Sequence, residues 1–122
     1  SSGYNGRIAY INNVSAVPDV CMMVRRDVFE AVSGFDSSLS VLAAIDLCFK
    51  IGQRGLFVTY EPRAEIVCHS DLFLRYENVD KEAGGYKMFI EKWGGVIAKG
   101  DPYYNPNLDS ENCDFSINPN VA

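Results

Sequence analysis

Three groups of residues in this chain could do chemistry. The first is Asp46, a carboxylate set among Val41, Leu42, Ala43, Ala44, Ile45 and Leu47. It stands at the start of a helical pattern, where the positive end of the helix dipole favours an anion by ~0.3–1 kcal/mol. So placed, it is either a plain N-terminal helix charge or a proton acceptor facing a ligand. The second is Cys68-His69-Ser70-Asp71, which directly follows a strand-like run and holds the only histidine. Thiolate, imidazole and carboxylate all bind divalent metals, but one contiguous cluster with no second spaced pair seldom completes a coordination sphere, and a loop-capping histidine is the plainer role. The third is aromatic: Tyr86, Phe89 and Trp93 could stack on a sugar or a base, yet their helical spacing assigns them to a core first. Tyr103 and Tyr104 fall outside any periodic stripe and are freer to make surface contacts. There is no Ser-His-Asp arrangement and no glycine-rich phosphate loop ahead of a helix.

These residues must be held by elements that the sequence also marks. Val14 to Val24 has strand composition in two short runs divided by Pro18-Asp19, and the second run, Val20 to Val24, is expected in the core. A short helix follows, with Asp27 as its N-cap, Val28, Phe29 and Val32 on one stripe, and Gly34 at its end. Apolar residues at 45, 48, 49 and at 47, 51 predict a helix from Ile45 to Gln53, stopped by Gly55. Leu56 to Tyr60 and Ala64 to Cys68 read as strands on either side of Pro62. Positions 79, 83, 86, 90, 93 and 97 predict a last helix. Gly84-Gly85 weakens its first turn by roughly 1 kcal/mol per glycine, which sets the firm start near Tyr86, and Gly94-Gly95 marks an early end.

The phrase Asp101-Pro102-Tyr103-Tyr104-Asn105-Pro106-Asn107-Leu108 has no helix or strand period. Its prolines fix their own φ and push Asp101 and Asn105 toward extended or turn conformations, so it reads as a strap docked on a folded body. The expected fold is α/β in the sense of an α+β fragment: a few-stranded mixed sheet packed with about three helices. Residues 1–99 form the body and residues 100–122 the strap.

With 48% hydrophobic and 22% charged residues, the 122-residue chain has the balance of one globular domain. No apolar run approaches the ~20 residues of a membrane span. A net charge of −5 without a compensating basic patch argues against nucleic acid. Cys21, Cys48, Cys68 and Cys113 are widely spaced and lack a CxxC pair, which favours reduced thiols and a cytoplasmic setting. The start at Ser1-Ser2-Gly3, with no methionine or signal sequence, suggests a piece of a longer protein.

Taken in order, Val24-Arg-Arg-Asp-Val-Phe29, Gly34-Phe35-Asp36, Asp46-Leu47-Cys48, Arg54-Gly55 and Pro62-x-Ala64 resemble the second half of family 2 glycosyltransferases with the GT-A fold. Trp93-Gly94 and the strap look like the ending of many bacterial members. Nearly all of the chain is covered. The resemblance implies an incomplete GT-A domain, the acceptor-side half of an inverting enzyme that moves a sugar from a nucleoside-diphosphate donor to a glycan or lipid-linked acceptor. It further implies a divalent metal, Mg or Mn, in the parent, and work at the inner face of a membrane. The missing N-terminal half would hold the nucleotide and the DXD motif, so the fragment alone is expected to be inactive and to self-associate through its exposed packing face.

Residue by residue, the resemblance suggests Asp46 as catalytic base, His69 as metal ligand, and Asp19 and Arg75 as acceptor contacts. The chain also departs from the pattern. Ala43-Ala44 stands where the family has an acidic pair, Ser33-Gly34 where it has Gly-Gly, Pro18-Asp19-Val20 where it has Thr-Gly-Ala, and Cys68 where it has histidine. Either Asp46 serves as the base or the base is lost. A second expectation is therefore a degenerate, non-catalytic glycosyltransferase-like module that binds glycan or a partner. A third is an unrelated small α+β domain.

Overall fold

The structure, a computed structural model, describes residues 9–69 and 83–104. Strand β1 (Asn12–Val14) is followed by a 3-10 turn at Asp19–Cys21 and helix α1 (Arg26–Ala31). A second 3-10 segment, Ser37–Leu42, is kinked at Ser40 and leads directly into helix α2 (Ala43–Gln53). Strand β2 (Val58–Tyr60) and helix α3 (Gly84–Ala98) complete the described elements. The class is α+β with three helices, as expected. Among the described residues the sheet is one antiparallel pair, with Asn12 opposite Tyr60 and Val14 opposite Val58.

Helix α2 is the centre of the fold and has a core on each side. On one side Leu39, Leu42 and Ala43 meet Phe89 and Trp93 of α3. Phe49 closes this cluster, its ring edge-on to Trp93 at 5.3 Å and tilted against Phe89 at 6.1 Å. On the other side Leu47 and Ile51 pack with Val28, with Met22, Val24 and Val58 around them. Positions 45 and 49 thus border the first cluster, and positions 47 and 51 lie in the second.

All three helices end on a left-handed residue: Ser33 (φ 64), Gly55 (φ 76) and Gly100 (φ 80). After α1 the Gly34 amide donates to the Phe29 carbonyl at 2.8 Å and the Ser33 amide to that of Glu30 at 3.1 Å. This is a Schellman ending, with serine at the position that glycine usually takes.

Several local expectations are corrected. Asp27 is not the N-cap of α1: Arg25 holds that place, and Asp27 lies in the first turn, taking the Arg25 guanidinium at 2.6 Å. Val20 to Val24 is not a core strand. Pro18 leads into the Asp19–Cys21 turn, and in the extended run after it Met22 and Val24 face the core while Met23 is 98% exposed. Ala64 to Cys68 is exposed and irregular; its strand composition finds no ladder there. Helix α3 starts earlier and ends later than its glycines suggested. A Cβ on Gly85 would lie 2.9 Å from the Ser38 carbonyl oxygen, so glycine is what lets α3 approach the Ser37–Leu42 backbone. The stripe of α3 also rotates: Phe89 and Trp93 are buried, whereas Ile90 and Ile97 are exposed.

Candidate functional site

The one buried charged side chain among the described residues is Asp46, at 0% exposure. It sits in the first turn of α2, one turn beyond Ala43, which shares the core cluster of Phe89 and Trp93. Its Oδ1 receives the Trp93 indole Nε1–H at 2.8 Å and the Lys92 ammonium at 2.7 Å. Its Oδ2 makes no hydrogen bond but faces Lys50 Nζ at 3.3 Å, one helical turn along α2. Lys50 in turn donates to the Gly34 carbonyl at 2.7 Å, which ties the end of α1 into the same knot. Lys92 also lies over the Trp93 ring, 5.4 Å from its centroid.

The electrostatics of Asp46 follow from two opposed effects. Burial pushes the carboxyl up, but Lys92, Trp93 and Lys50 together outweigh it and hold the group below its ordinary range. Asp36 is lowered too, chiefly by Ser38, with Lys92 and Lys50 adding a smaller pull. Asp46 is therefore an anion at neutral pH. With ammonium groups on both oxygens it is a weak proton acceptor in this conformation.

The sequence-derived site residues are not gathered into one cleft. Asp46 is sealed between α2 and α3, Asp19 is exposed on the first 3-10 turn, and His69 is exposed at the end of a described segment. Arg75 lies outside the described residues, as do Ser70 and Asp71. Ala43 and Ala44, at the positions of the implied acidic pair, are 9% and 2% exposed and belong to the interior. Among the described residues no three His, Cys, Asp or Glu side chains come together. Sequence reasoning missed Lys50 and Lys92. The i, i+4 relation of Asp46 and Lys50 was a readable signal, whereas Lys92 and Trp93 reach Asp46 only through the tertiary fold.

Beside this knot lies a hollow of about 830 Å³ between the sheet, the end of α2 and the end of α3. Val14, Cys48, Phe49, Val58, Trp93 and Ile97 contribute to its largely apolar wall. Trp93 is the bridge between the two features, since it lines the hollow and donates to Asp46. The strap begins on the rim of the hollow. Ser15 Oγ donates to Asp101 Oδ1 at 2.7 Å, and the same oxygen accepts the Tyr103 amide at 2.9 Å. The strap beyond Tyr104 lies outside the described residues. No helix among the described residues is long and apolar enough to cross a membrane.

No family model matches the chain, and no solved structure does. Among curated proteins it is 30% identical over 122 residues to y4gI of Sinorhizobium fredii, itself uncharacterized. It is 29% identical over 104 residues to the O-antigen biosynthesis protein RfbC of Myxococcus xanthus. These alignments take in 95% and 84% of this chain but 13% and 8% of the two relatives, so the chain spans about a tenth of the length of the proteins it matches.

Proposed function

We propose that the chain is the acceptor-side part of a family 2 glycosyltransferase domain of GT-A fold, within a longer protein of polysaccharide biosynthesis. The observation that carries this reading is the likeness to an O-antigen biosynthesis protein over 84% of the chain. The ordered motif series supports it, as does an α+β fold in which those motifs form α1, the turn at Asp36 and α2. The parent transfers a sugar from a nucleoside diphosphate to a glycan or lipid-linked acceptor on the cytoplasmic side of a membrane, with inversion. Attack by the acceptor hydroxyl needs a carboxylate within about 2.6–3.2 Å. Asp46 is the carboxylate that this segment of the motif series retains. Oδ2, the oxygen without a hydrogen bond, would take the proton, and Lys50 would have to turn wholly to the Gly34 carbonyl for it to do so. The donor and the DXD ligands of the metal belong to the part of the domain that holds the nucleotide, and this chain would supply one further metal ligand at His69.

The test is sugar transfer by the full-length parent, wild type against Asp46→Asn, at a temperature where circular dichroism shows both folded. Loss of transfer with the fold intact supports Asp46 as the base. Wild-type transfer by the variant removes Asp46 from the chemistry while leaving the transferase reading in place.

A second reading rests on the sealing of Asp46 and the burial of Ala43 and Ala44. Here the module keeps the packing residues of a glycosyltransferase but not its base, and binds glycan or a partner without turnover. Glycan binding by a parent that hydrolyses and transfers no nucleotide sugar is its expected signature. Measurable transfer excludes it.

A further inference from the structure

We propose that the hollow is a binding site for uncharged saccharide: neutral sugar rings, as opposed to the nucleotide donor or an acidic glycan. The charge of its wall is the first reason. Among the described residues the side chains that line it include one carboxylate, Asp101, and no lysine, arginine or histidine. Gly52, Gln53 and Gly55 bring the C-terminal end of α2 to the wall, and Ile97 and Gly100 bring that of α3. Both helix dipoles therefore place their negative ends there, beside the carboxylate. A diphosphate or a uronic acid would enter that field with no cation of the described wall to pair it, and the apolar surroundings strengthen the repulsion. A group that donates hydrogen bonds without carrying negative charge is what such a wall accepts.

The polar groups and the rings of the wall fit a sugar. Asp101 takes both the Ser15 hydroxyl and the Tyr103 amide on Oδ1, which leaves Oδ2 unpartnered at the rim. Gln53 is exposed, and its side-chain amide makes no hydrogen bond within the fold. A carboxylate oxygen and an amide between them accept from and donate to hydroxyl groups. The rest of the wall is largely hydrocarbon, and Phe57 adds a ring that is 70% exposed. One face of a sugar ring carries C–H groups that pack on an aromatic ring, while its hydroxyls are left for polar side chains. The volume of about 830 Å³ suits a small-molecule site. A hydrocarbon chain of the same size would cover Asp101 and Gln53 and return no hydrogen bond to either. The proposal rests on the reading that the parent works on glycans, and it adds where a glycan is held and which charge it carries.

The experiment titrates the 122-residue chain, by ligand-observed NMR, with a panel of neutral disaccharides and trisaccharides of hexose, deoxyhexose and N-acetylhexosamine, with a trimer of galacturonic acid, and with farnesol. At least one neutral saccharide is expected to bind at millimolar concentration, and the acidic trimer at least about tenfold more weakly. Phe57→Ala and Gln53→Ala alter exposed side chains, so the fold is kept, as unchanged Trp93 emission verifies. Each is expected to weaken neutral binding about 2- to 12-fold, the range of one aromatic contact or hydrogen bond. Asp101→Asn is expected to narrow the gap between neutral and acidic sugars. The proposal is overturned by a lack of binding across the neutral panel, by neutral binding that both alanine variants leave untouched, or by a preference for the acidic trimer or for farnesol. Sugar transfer by the parent is read separately: transfer without neutral binding here removes the hollow from glycan recognition and leaves the transferase reading standing.

Discussion

Trp93 and Asp46, 47 positions apart in sequence, meet in a 2.8 Å hydrogen bond from indole nitrogen to carboxylate that joins α3 to α2. The bond lies within the interface that also holds Lys92 and Lys50, so the one tryptophan of the chain reports directly on the docking of the two helices.

Neutralising Asp46 leaves the largely buried Lys50 ammonium without its partner, while Lys92, 41% exposed, keeps its contact with water. Removal of one partner from a buried ion pair costs about 3–5 kcal/mol. Asp46→Asn keeps the shape and an acceptor for Trp93, so a loss near the lower end, about 3 kcal/mol, is expected in urea unfolding followed by Trp93 emission. Lys92→Met leaves Asp46 with Lys50 and Trp93, and its loss is expected to be smaller.

Acid should weaken the same contact. The folded pKa of Asp46 lies below its ordinary value of 3.8, so the stability it contributes is complete above that value and is lost as pH falls through the lower folded one. The urea midpoint is expected to drop below about pH 4, and Asp46→Asn should flatten that part of the profile. Asp27, held low by Arg25, and Glu61, held at about 2 by Arg63, belong to surface pairs screened by solvent that contribute little.

Two glycines of α3 should respond in opposite directions to alanine. Gly95 is mid-helix with nothing within 4 Å of a Cβ, so Gly95→Ala is expected to add about 0.8–1 kcal/mol. At Gly85 the new methyl would press on the Ser38 carbonyl oxygen from 2.9 Å, and a loss of about 1–3 kcal/mol is expected despite the better helix propensity. Thermal melts of the two variants give the signs.

At the end of α1, Ser33 holds φ 64 where an L side chain is strained. Ser33→Gly is expected to add about 1 kcal/mol, raising Tm by several degrees. Gly34→Ala should do the reverse, since its Cβ would lie 2.8 Å from Cζ of Phe29.

What could be read from the sequence was local and periodic. The apolar spacing of Leu47, Cys48 and Ile51 located α2, Gly55 located its end, and the spacing of Phe89 and Trp93 marked them as core before stacking platform. What could not be read depended on distant partners. The strand-like run Ala64 to Cys68 has the right residues but no ladder, and a strand is stabilised by its neighbours more than by its own preference. Gly84-Gly85 looked like a weakness until the Ser38 backbone gave Gly85 a purpose. Asp46 stood out as a carboxylate in apolar company, but sequence spacing does not show that Lys92 and Trp93 arrive from across the fold to enclose it.

Ala43 and Phe49 of α2 present smooth hydrocarbon to α3, and hydrocarbon alone tolerates sliding. The charge between them does not. Shift one helix along the other by a single turn, about 5.4 Å, and the carboxylate loses indole and ammonium together with no water to replace them. Asp46 is thus expected to act as an alignment pin, penalising a misregistered pairing of the two helices as well as holding the native one.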